Sequence, residues 1–227
     1  MSQRIFPYGP PRPLAENLWQ VEGSLPLPVP RNMTIWRAGD GRLVLYSVIA
    51  MHEDGMRALE HLGEPAFMVI PHLRHHMDAP FYKQRYPHLR TLAASPVPAN
   101  GVAIDGSVDE LAALGVRAYR LPGTDHEDIV LDLPIPGGRA LCVCELLTNV
   151  APAGVLGRIA ARLLGPPGGP FGIARVVRLR EVVDREQVRS WLRAEAARSD
   201  LRMVLVGHGQ PVLEGASGAL TQAAAQV

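Results

Sequence analysis

The feature that most constrains this chain is a short apolar run that ends in a cluster of histidines. Residues 66–70 are all apolar and Pro71 follows them, a pattern typical of a buried strand that stops at a loop. The loop then carries His72, His75 and His76 within five positions. Because a rigid strand fixes where its loop begins, this stretch predicts either a metal or acid/base site or a solvated turn without function.

A second histidine follows a second apolar run. Residues 203–206 predict a strand, and His208 comes next between Gly207 and Gly209. Glycine on both sides allows a sharp turn and leaves the imidazole accessible. We therefore predict that His208 faces a cleft, in preference to a tight turn in which it only caps a backbone group.

A carboxylate follows a third apolar run, at Glu145 after Cys142 and Cys144. A carboxylate at a strand end can ligate a metal ion or act as a base, although a plain strand-to-helix junction is the alternative. Both cysteines are interpreted as small core residues. The acidic loop 124–128, which contains His126, is a weaker cation candidate, and a solvated loop is the favoured interpretation.

Length and charge limit the classes of function. The 227 residues carry 23 basic and 22 acidic side chains without a block of like charge, so nucleic acid and membrane are not expected as partners. We predict one domain over residues 1–227, with an extended proline-rich arm at 1–14.

The absence of a secretory-type apolar stretch near Met1, together with two cysteines too constrained to pair, predicts a cytoplasmic protein. Lys83 is the only lysine, and this arginine bias favours a bacterial source.

The order of elements favours two mixed sheets. Strands dominate the first part of the chain, with predicted hairpins at 33–49 and 129–144, and helices are predicted at 155–164 and 184–197. A strand-rich start argues against a simple doubly wound parallel sheet. Two packed sheets with helices on their outer faces suit this order better, and the segment 151–180 is expected to form either a lid or a homodimer contact.

Taken together, these pieces resemble the metallo-β-lactamase superfamily over residues 14–213. The matching stretches are PLAENLWQVEG, VIPHLRHHMD, LPGTDHEDIVLDL, RALCVCELL and LVGHGQPV. The resemblance implies an α/β (α+β) fold, a four-layer αββα sandwich of two mixed sheets, with the site in a cleft at one edge of the sheets.

The motif of that family is incomplete in this chain. Its His-x-His-x-Asp-His loop aligns with Ile70, His72, Arg74 and His75, so the first histidine is missing and an arginine replaces the aspartate. A fixed positive charge at that position opposes a second divalent cation. Thr124 lies where another histidine is expected.

The resemblance still implies enough ligands for one metal ion. The implied ligands are His72, His75, Glu145 and His208, with His76 or His126 in reserve. The ion would be one Zn²⁺ or Fe²⁺ in a metal-dependent hydrolase of unknown small-molecule substrate, with Glu145 and Arg74 as catalytic residues. The alternative is a non-catalytic member, without a required metal, that binds a small anion or a partner protein.

Overall fold

Seven strands form the first sheet. The computed structural model describes residues 4–24, 29–93, 100–125 and 128–227. The sheet is ordered β1 to β7 as in the chain, antiparallel through β4 and parallel from β4 onward. Its strands are β1 (Arg12–Ala15), β2 (Leu18–Gly23), β3 (Arg31–Arg37), β4 (Arg42–Tyr46), β5 (Glu64–Ile70), β6 (Arg90–Ala93) and β7 (Gly106–Ser107).

The second sheet is centred on one long strand, β10. On one side, β10 pairs antiparallel with β9, which pairs with β8; it also pairs parallel with β12 and, near its end, antiparallel with β11. The strands are β8 (Arg117–Arg120), β9 (Ile129–Ile135), β10 (Gly138–Asn149), β11 (Phe171–Gly172) and β12 (Leu201–Gly209). Both sheets are mixed, as the sequence predicts.

Six α-helices and one 3₁₀ helix are found in the described part of the chain. The α-helices are α1 (Glu53–Glu60), α2 (Ala79–Arg85), α3 (Gly154–Leu164), α4 (Arg175–Arg180), α5 (Arg185–Ala196) and α6 (Ala216–Ala224). The 3₁₀ helix spans Val108–Leu114. Asp184 caps α5 by accepting a hydrogen bond from the Gln187 N–H, as the sequence predicts for a capping box.

Three separate apolar cores show how these elements stack. Between the sheets, side chains of β4 and β5 such as Val44 and Val69 meet side chains of β9 and β10 such as Leu131. A second core packs α1 and α2 on the outer face of the first sheet, and a third packs α4, α5 and α6 on the outer face of the second. Three cores between four layers give the predicted αββα sandwich.

The amino-terminal arm differs from the sequence prediction. The sequence predicts an arm without regular structure over residues 1–14, but the last part of this range belongs to β1, because Arg12–Ala15 pair with β2. Proline is compatible with this because β1 is an edge strand, where Pro13 needs no ladder donor on its open side. In the part of the chain that the structure describes, no helix has both the length and the apolar character required to cross a membrane.

Candidate metal and acid/base site

Three strands from both sheets deliver the candidate site. The loop after β5 in the first sheet carries His75, while β10 and β12 in the second sheet carry Glu145 and His208. The pairing of β10 with β12 shifts register between Val143 and Thr148, so Glu145 lies at an irregularity of the ladder. Such irregularities re-aim side chains, and here the carboxylate is turned toward the histidine loop.

The turn that carries His208 is fastened to the first sheet. Asn32 on β3 donates hydrogen bonds to the carbonyls of Val206 (2.8 Å) and Gly209 (2.6 Å), on either side of the histidine. Gly209 has φ +91°, and a Cβ atom there would lie 2.0 Å from the Asn149 carbonyl oxygen. Only glycine fits this position, so the pattern around His208 is a requirement of the close approach of β12 to β10.

Two imidazoles converge on one carboxylate oxygen. Nε2 of His75 lies 2.7 Å from Oε1 of Glu145, and Nε2 of His208 lies 3.6 Å from the same oxygen. The two rings meet edge to face with their centroids 5.1 Å apart. The side chain of His208 is 13% exposed, so this imidazole retains limited access to solvent.

The Nδ1 atom of each imidazole also has a hydrogen-bond partner. Nδ1 of His75 is 2.8 Å from the Ser47 hydroxyl, and Nδ1 of His208 is 2.7 Å from the carbonyl oxygen of Pro30. The Pro30 carbonyl can only accept, so Nδ1 of His208 carries a proton and a neutral ring presents a lone pair at Nε2. Ser47 has φ +60°, an uncommon conformation for a residue other than glycine.

Arg74 closes the site on its other side. Its Nη2 atom donates to Oε2 of Glu145 at 3.0 Å and also contacts Oε1 of Glu181, which directly follows α4. The guanidinium is half exposed, whereas both carboxylates are nearly buried. One fixed cation therefore lies between two acidic groups and keeps a face open to solvent.

The electrostatics of the site follow from burial and these contacts. Burial alone would raise the pKa of Glu145, but His208 and His75 hold that pKa well below its ordinary value. Burial lowers the pKa of His75, whereas for His208 the charge and hydrogen bonding of Glu145 outweigh burial and raise the pKa. The two imidazoles thus differ, and His208 is the one that is protonated more readily.

Asp128 binds the backbone on which Glu145 is carried. Its Oδ2 atom accepts hydrogen bonds from the backbone N–H groups of Glu145 (2.9 Å) and Leu146 (3.1 Å), and its side chain is fully enclosed. Burial raises the pKa of this carboxyl group to about 7. The expectation of a solvated acidic loop at 124–128 is therefore wrong for Asp128, because β9 begins immediately after it and carries it inward.

The raised pKa of Asp128 predicts that the free energy of unfolding of the metal-free protein depends on pH. Its pKa of about 7 in the fold lies above the ordinary 3.8, so the folded state binds more protons between these values. Stability then falls as pH rises from about 4 toward 7, by up to about 1.4 kcal/mol per unit. Asp128→Asn, which keeps an acceptor oxygen, is expected to remove this slope in urea unfolding at successive pH values.

The control for that experiment is Asp109→Asn, because Asp109 is exposed on the 3₁₀ helix Val108–Leu114. It is expected to keep the wild-type slope. An Asp128→Asn variant whose stability falls with pH as steeply as the wild type would contradict this role of burial.

The other predicted ligands take different positions. His72 is buried, and its Nδ1 atom accepts a hydrogen bond from the Arg74 N–H at 3.1 Å. In a neutral ring this contact occupies the lone pair of Nδ1 and places the ring proton on Nε2. His76 is half-buried, Thr124 donates to the Leu121 carbonyl, and His126 lies outside the described residues. Arg74 lies in the loop after β5, at the position where the family motif has an aspartate.

Cys144 lies close to the site but is poorly suited to it. Ligand atoms of His75, Cys144 and Glu145 all lie within 4.8 Å of one another. Cys144 is fully buried between the sheets, and burial raises the pKa of its thiol well above the ordinary value. A thiol held protonated is a weak ligand, so both free cysteines are core residues, as the sequence predicts.

Several residues of the site were not identified from the sequence. Ser47, Pro30 and Glu181 are separated from the histidine loop by many residues and belong to no motif. Glu181 lies in a charged run, RLREVVD, which is typical of a solvated helix end. Only the packing of α4 against the second sheet reveals that its carboxylate faces inward.

Comparison with known proteins identifies the architecture. No protein-family model and no curated protein sequence matches the chain. Among solved structures, FIM-1 from Pseudomonas aeruginosa in its mono-zinc form has a TM-score of 0.63 at 14% identity, covering 98% of this chain and 97% of that one. Metallo-β-lactamases from Pontibacter korlensis (TM-score 0.60, 12% identity, 96% and 99% covered) and Erythrobacter litoralis (0.58, 19%, 99% and 96%) are also similar. The chain therefore has the metallo-β-lactamase fold, over nearly its full length.

Proposed function

We propose that this protein is a hydrolase that depends on a single metal ion. The observation that carries the proposal is the convergence of two imidazole Nε2 atoms on one buried carboxylate oxygen, with the far nitrogens tied to Ser47 and Pro30. Two histidines and a glutamate form one of the donor sets of catalytic zinc sites. Metal-bound histidines almost always donate their other nitrogen to an oxygen, and that second contact is present here.

The donor set fits one ion and excludes a second. With neutral imidazoles, the group of Glu145, Glu181 and Arg74 carries a net charge of −1, which one divalent cation reverses to +1. Arg74 already places a cation against the second oxygen of Glu145. Another dication there would face a fixed like charge at short range. We therefore assign His75, His208 and Glu145 as ligands and omit His72, whose ring is committed to the Arg74 N–H.

In such a hydrolase, the residues around the ion would have separate roles. A bound ion of this kind lowers the pKa of water to near neutrality and polarises a substrate oxygen. Arg74 keeps one face open to solvent, and its planar guanidinium is suited to bind and orient a carboxylate or phosphate group of the substrate. Glu181 holds Arg74 in place. Asp128 fixes the backbone of Glu145 and so positions this ligand.

A zinc titration combined with hydrolysis assays tests this proposal. Calorimetry of the metal-free protein is expected to give one equivalent of bound Zn²⁺, because Arg74 blocks a second ion. A panel of chromogenic esters, phosphate esters and lactams is expected to show zinc-dependent turnover of one anionic class. Protein that takes up no Zn²⁺ and hydrolyses none of the panel with added metal would contradict the proposal.

Arg74→Ala separates the role of the arginine from that of the ligands. We expect this variant to bind Zn²⁺ at least as tightly as the wild type, since a neighbouring cation is removed. Its KM for an anionic substrate should rise about tenfold or more, in keeping with a lost charge-assisted contact. Arg57→Ala, on the exposed face of α1, is the matched control and should leave both values unchanged. Weaker zinc binding in Arg74→Ala would argue that Arg74 organises the ligands.

A second candidate function rests on the same arginine. The contacts of His75, Arg74, Glu145 and Glu181 already satisfy one another without an ion. This favours a non-catalytic scaffold in which Arg74 binds a small anion. Inorganic phosphate that binds the metal-free protein, is lost in Arg74→Ala, and is unaffected by Zn²⁺ would support this alternative over the hydrolase.

A further inference from the structure

The helix α3 presents its large apolar side chains outward. On a helix of 3.6 residues per turn, Val155, Leu156, Ile159, Leu163 and Leu164 share about half of the circumference. Leu156 is 83% exposed, Val155 66% and Leu163 65%, and no residue of α3 is buried. An ordinary surface helix buries its apolar stripe, so the orientation of α3 is inverted.

The inner side of α3 carries small residues instead. Gly157 and Ala161 are the two positions of the helix that are partly covered. They are four residues apart and lie opposite to Val155, Ile159 and Leu163 on the helix. Only this narrow strip of α3 is partly covered, and the wide apolar face is exposed.

Arginines lie near this apolar face. Residues 146–180 contain no acidic side chain, and they contain five arginines, Arg158, Arg162, Arg175, Arg178 and Arg180. Arg158, Arg162 and Arg180 are exposed, and Leu179 on α4 adds another apolar side chain that is 75% exposed. The sequence prediction of no membrane partner rests on the near-zero net charge of the whole chain. That average hides the charge of +5 carried by residues 146–180.

The two helices are joined into one surface. Nη1 of Arg175, at the start of α4, donates to the carbonyls of Arg162 (2.7 Å) and Gly165 (3.2 Å) at the end of α3. We call the outward faces of residues 154–180 the α3–α4 surface. It combines an apolar ridge with five arginines, of which Arg158, Arg162 and Arg180 are exposed. An apolar face beside basic side chains is the combination that inserts into the interface of an anionic bilayer.

We propose that the α3–α4 surface docks this protein on a membrane that contains anionic lipids. Charge selects this occupant over a second copy of the chain. A symmetric dimer through the same face would bring two sets of arginines together, and like charges there repel. An anionic lipid surface neutralises the same arginines, and each one near the surface strengthens binding about fivefold, while the leucines enter the headgroup boundary.

Vesicle flotation of the full-length protein tests this proposal. Binding is expected to vesicles in which roughly one third of the lipid is phosphatidylglycerol and the rest phosphatidylcholine, and to weaken strongly at high salt. The double variant Arg158→Gln/Arg162→Gln should lower the partition coefficient about thirtyfold, because two surface charges are removed. Leu156→Gln/Leu163→Gln should lower it at least about tenfold.

Matched controls separate docking from folding and from self-association. Because the altered side chains are exposed, circular dichroism and melting temperature should not change. Arg57→Gln on α1 and Leu213→Gln, an exposed leucine outside the surface, should bind vesicles as the wild type does. No binding to anionic vesicles would overturn the proposal. A vesicle-free dimer that the leucine variant converts to monomer would overturn it too, by showing that a second copy covers α3.

Discussion

Replacing His208 with alanine is expected to lower the affinity for Zn²⁺ by at least about a hundredfold. Loss of a residue that only orients a ligand typically costs ten- to a hundredfold, so loss of a ligand itself should reach or exceed the upper value. In the proposed site, removal of His208 would leave the ion only Glu145 and His75 as protein ligands. Competition with a fluorescent zinc chelator measures this change.

Two variants calibrate that result. Ser47→Ala removes only the oxygen beside Nδ1 of His75, so its zinc affinity should fall by about ten- to a hundredfold. His88→Ala is the matched control, because the imidazole of His88 is exposed and lies outside the site. Zinc affinity of His208→Ala equal to that of His88→Ala would show that His208 is not a ligand.

Replacing Asp78 with alanine is expected to destabilise the metal-free protein by about 3–5 kcal/mol. Oδ2 of Asp78 lies 2.5 Å from Nη2 of Arg31 and 2.9 Å from the Ala50 amide nitrogen, and both charged side chains are at least nine-tenths buried. Removal of one partner leaves the other charge buried without compensation, and this accounts for the size of the loss. Urea unfolding followed by circular dichroism measures it.

A double variant distinguishes the loss of one charge of the Arg31–Asp78 ion pair from the loss of both. The double variant Arg31→Met/Asp78→Ala removes both charges and should recover part of the stability lost in Asp78→Ala. The unpaired Ala50 N–H prevents full recovery. A loss below about 1 kcal/mol in Asp78→Ala would contradict a stabilising role for this buried pair, which joins β3 to the start of α2.

The parts of the fold that follow from local pattern could be predicted from the sequence. The apolar run that ends at Ile70 becomes β5, and the run that ends at Val206 becomes β12, because buried strands require continuous apolar side chains. The two hairpins follow from alternating strands around glycine-containing turns. The convergence of His75 and His208 was expected from the resemblance to the metallo-β-lactamases and is found.

The contacts that define the site depend on tertiary packing and were not predictable. Ser47, the Pro30 carbonyl and Glu181 reach the histidines only because sheets and helices distant in sequence are stacked. His72 shares the loop with His75, yet its ring turns toward the Arg74 amide, and spacing alone could not distinguish the two. Asp128 looked like part of a solvated loop because its neighbours are polar.

The orientation of α3 illustrates the same limit. The sequence predicts an apolar helix at 155–164, and ordinary amphipathic reasoning would turn its leucines inward. The structure turns Gly157 and Ala161 inward instead. Periodicity gives the angular width of an apolar face, but the direction of that face depends on what the rest of the fold leaves uncovered.

Anomalous diffraction at the zinc edge, from crystals grown with Zn²⁺, tests the central claim most directly. The single-ion site predicts one anomalous peak, bonded to Nε2 of His75, Nε2 of His208 and a carboxylate oxygen of Glu145, with Arg74 adjacent. No peak between these side chains, or a second peak beside Arg74, would contradict it.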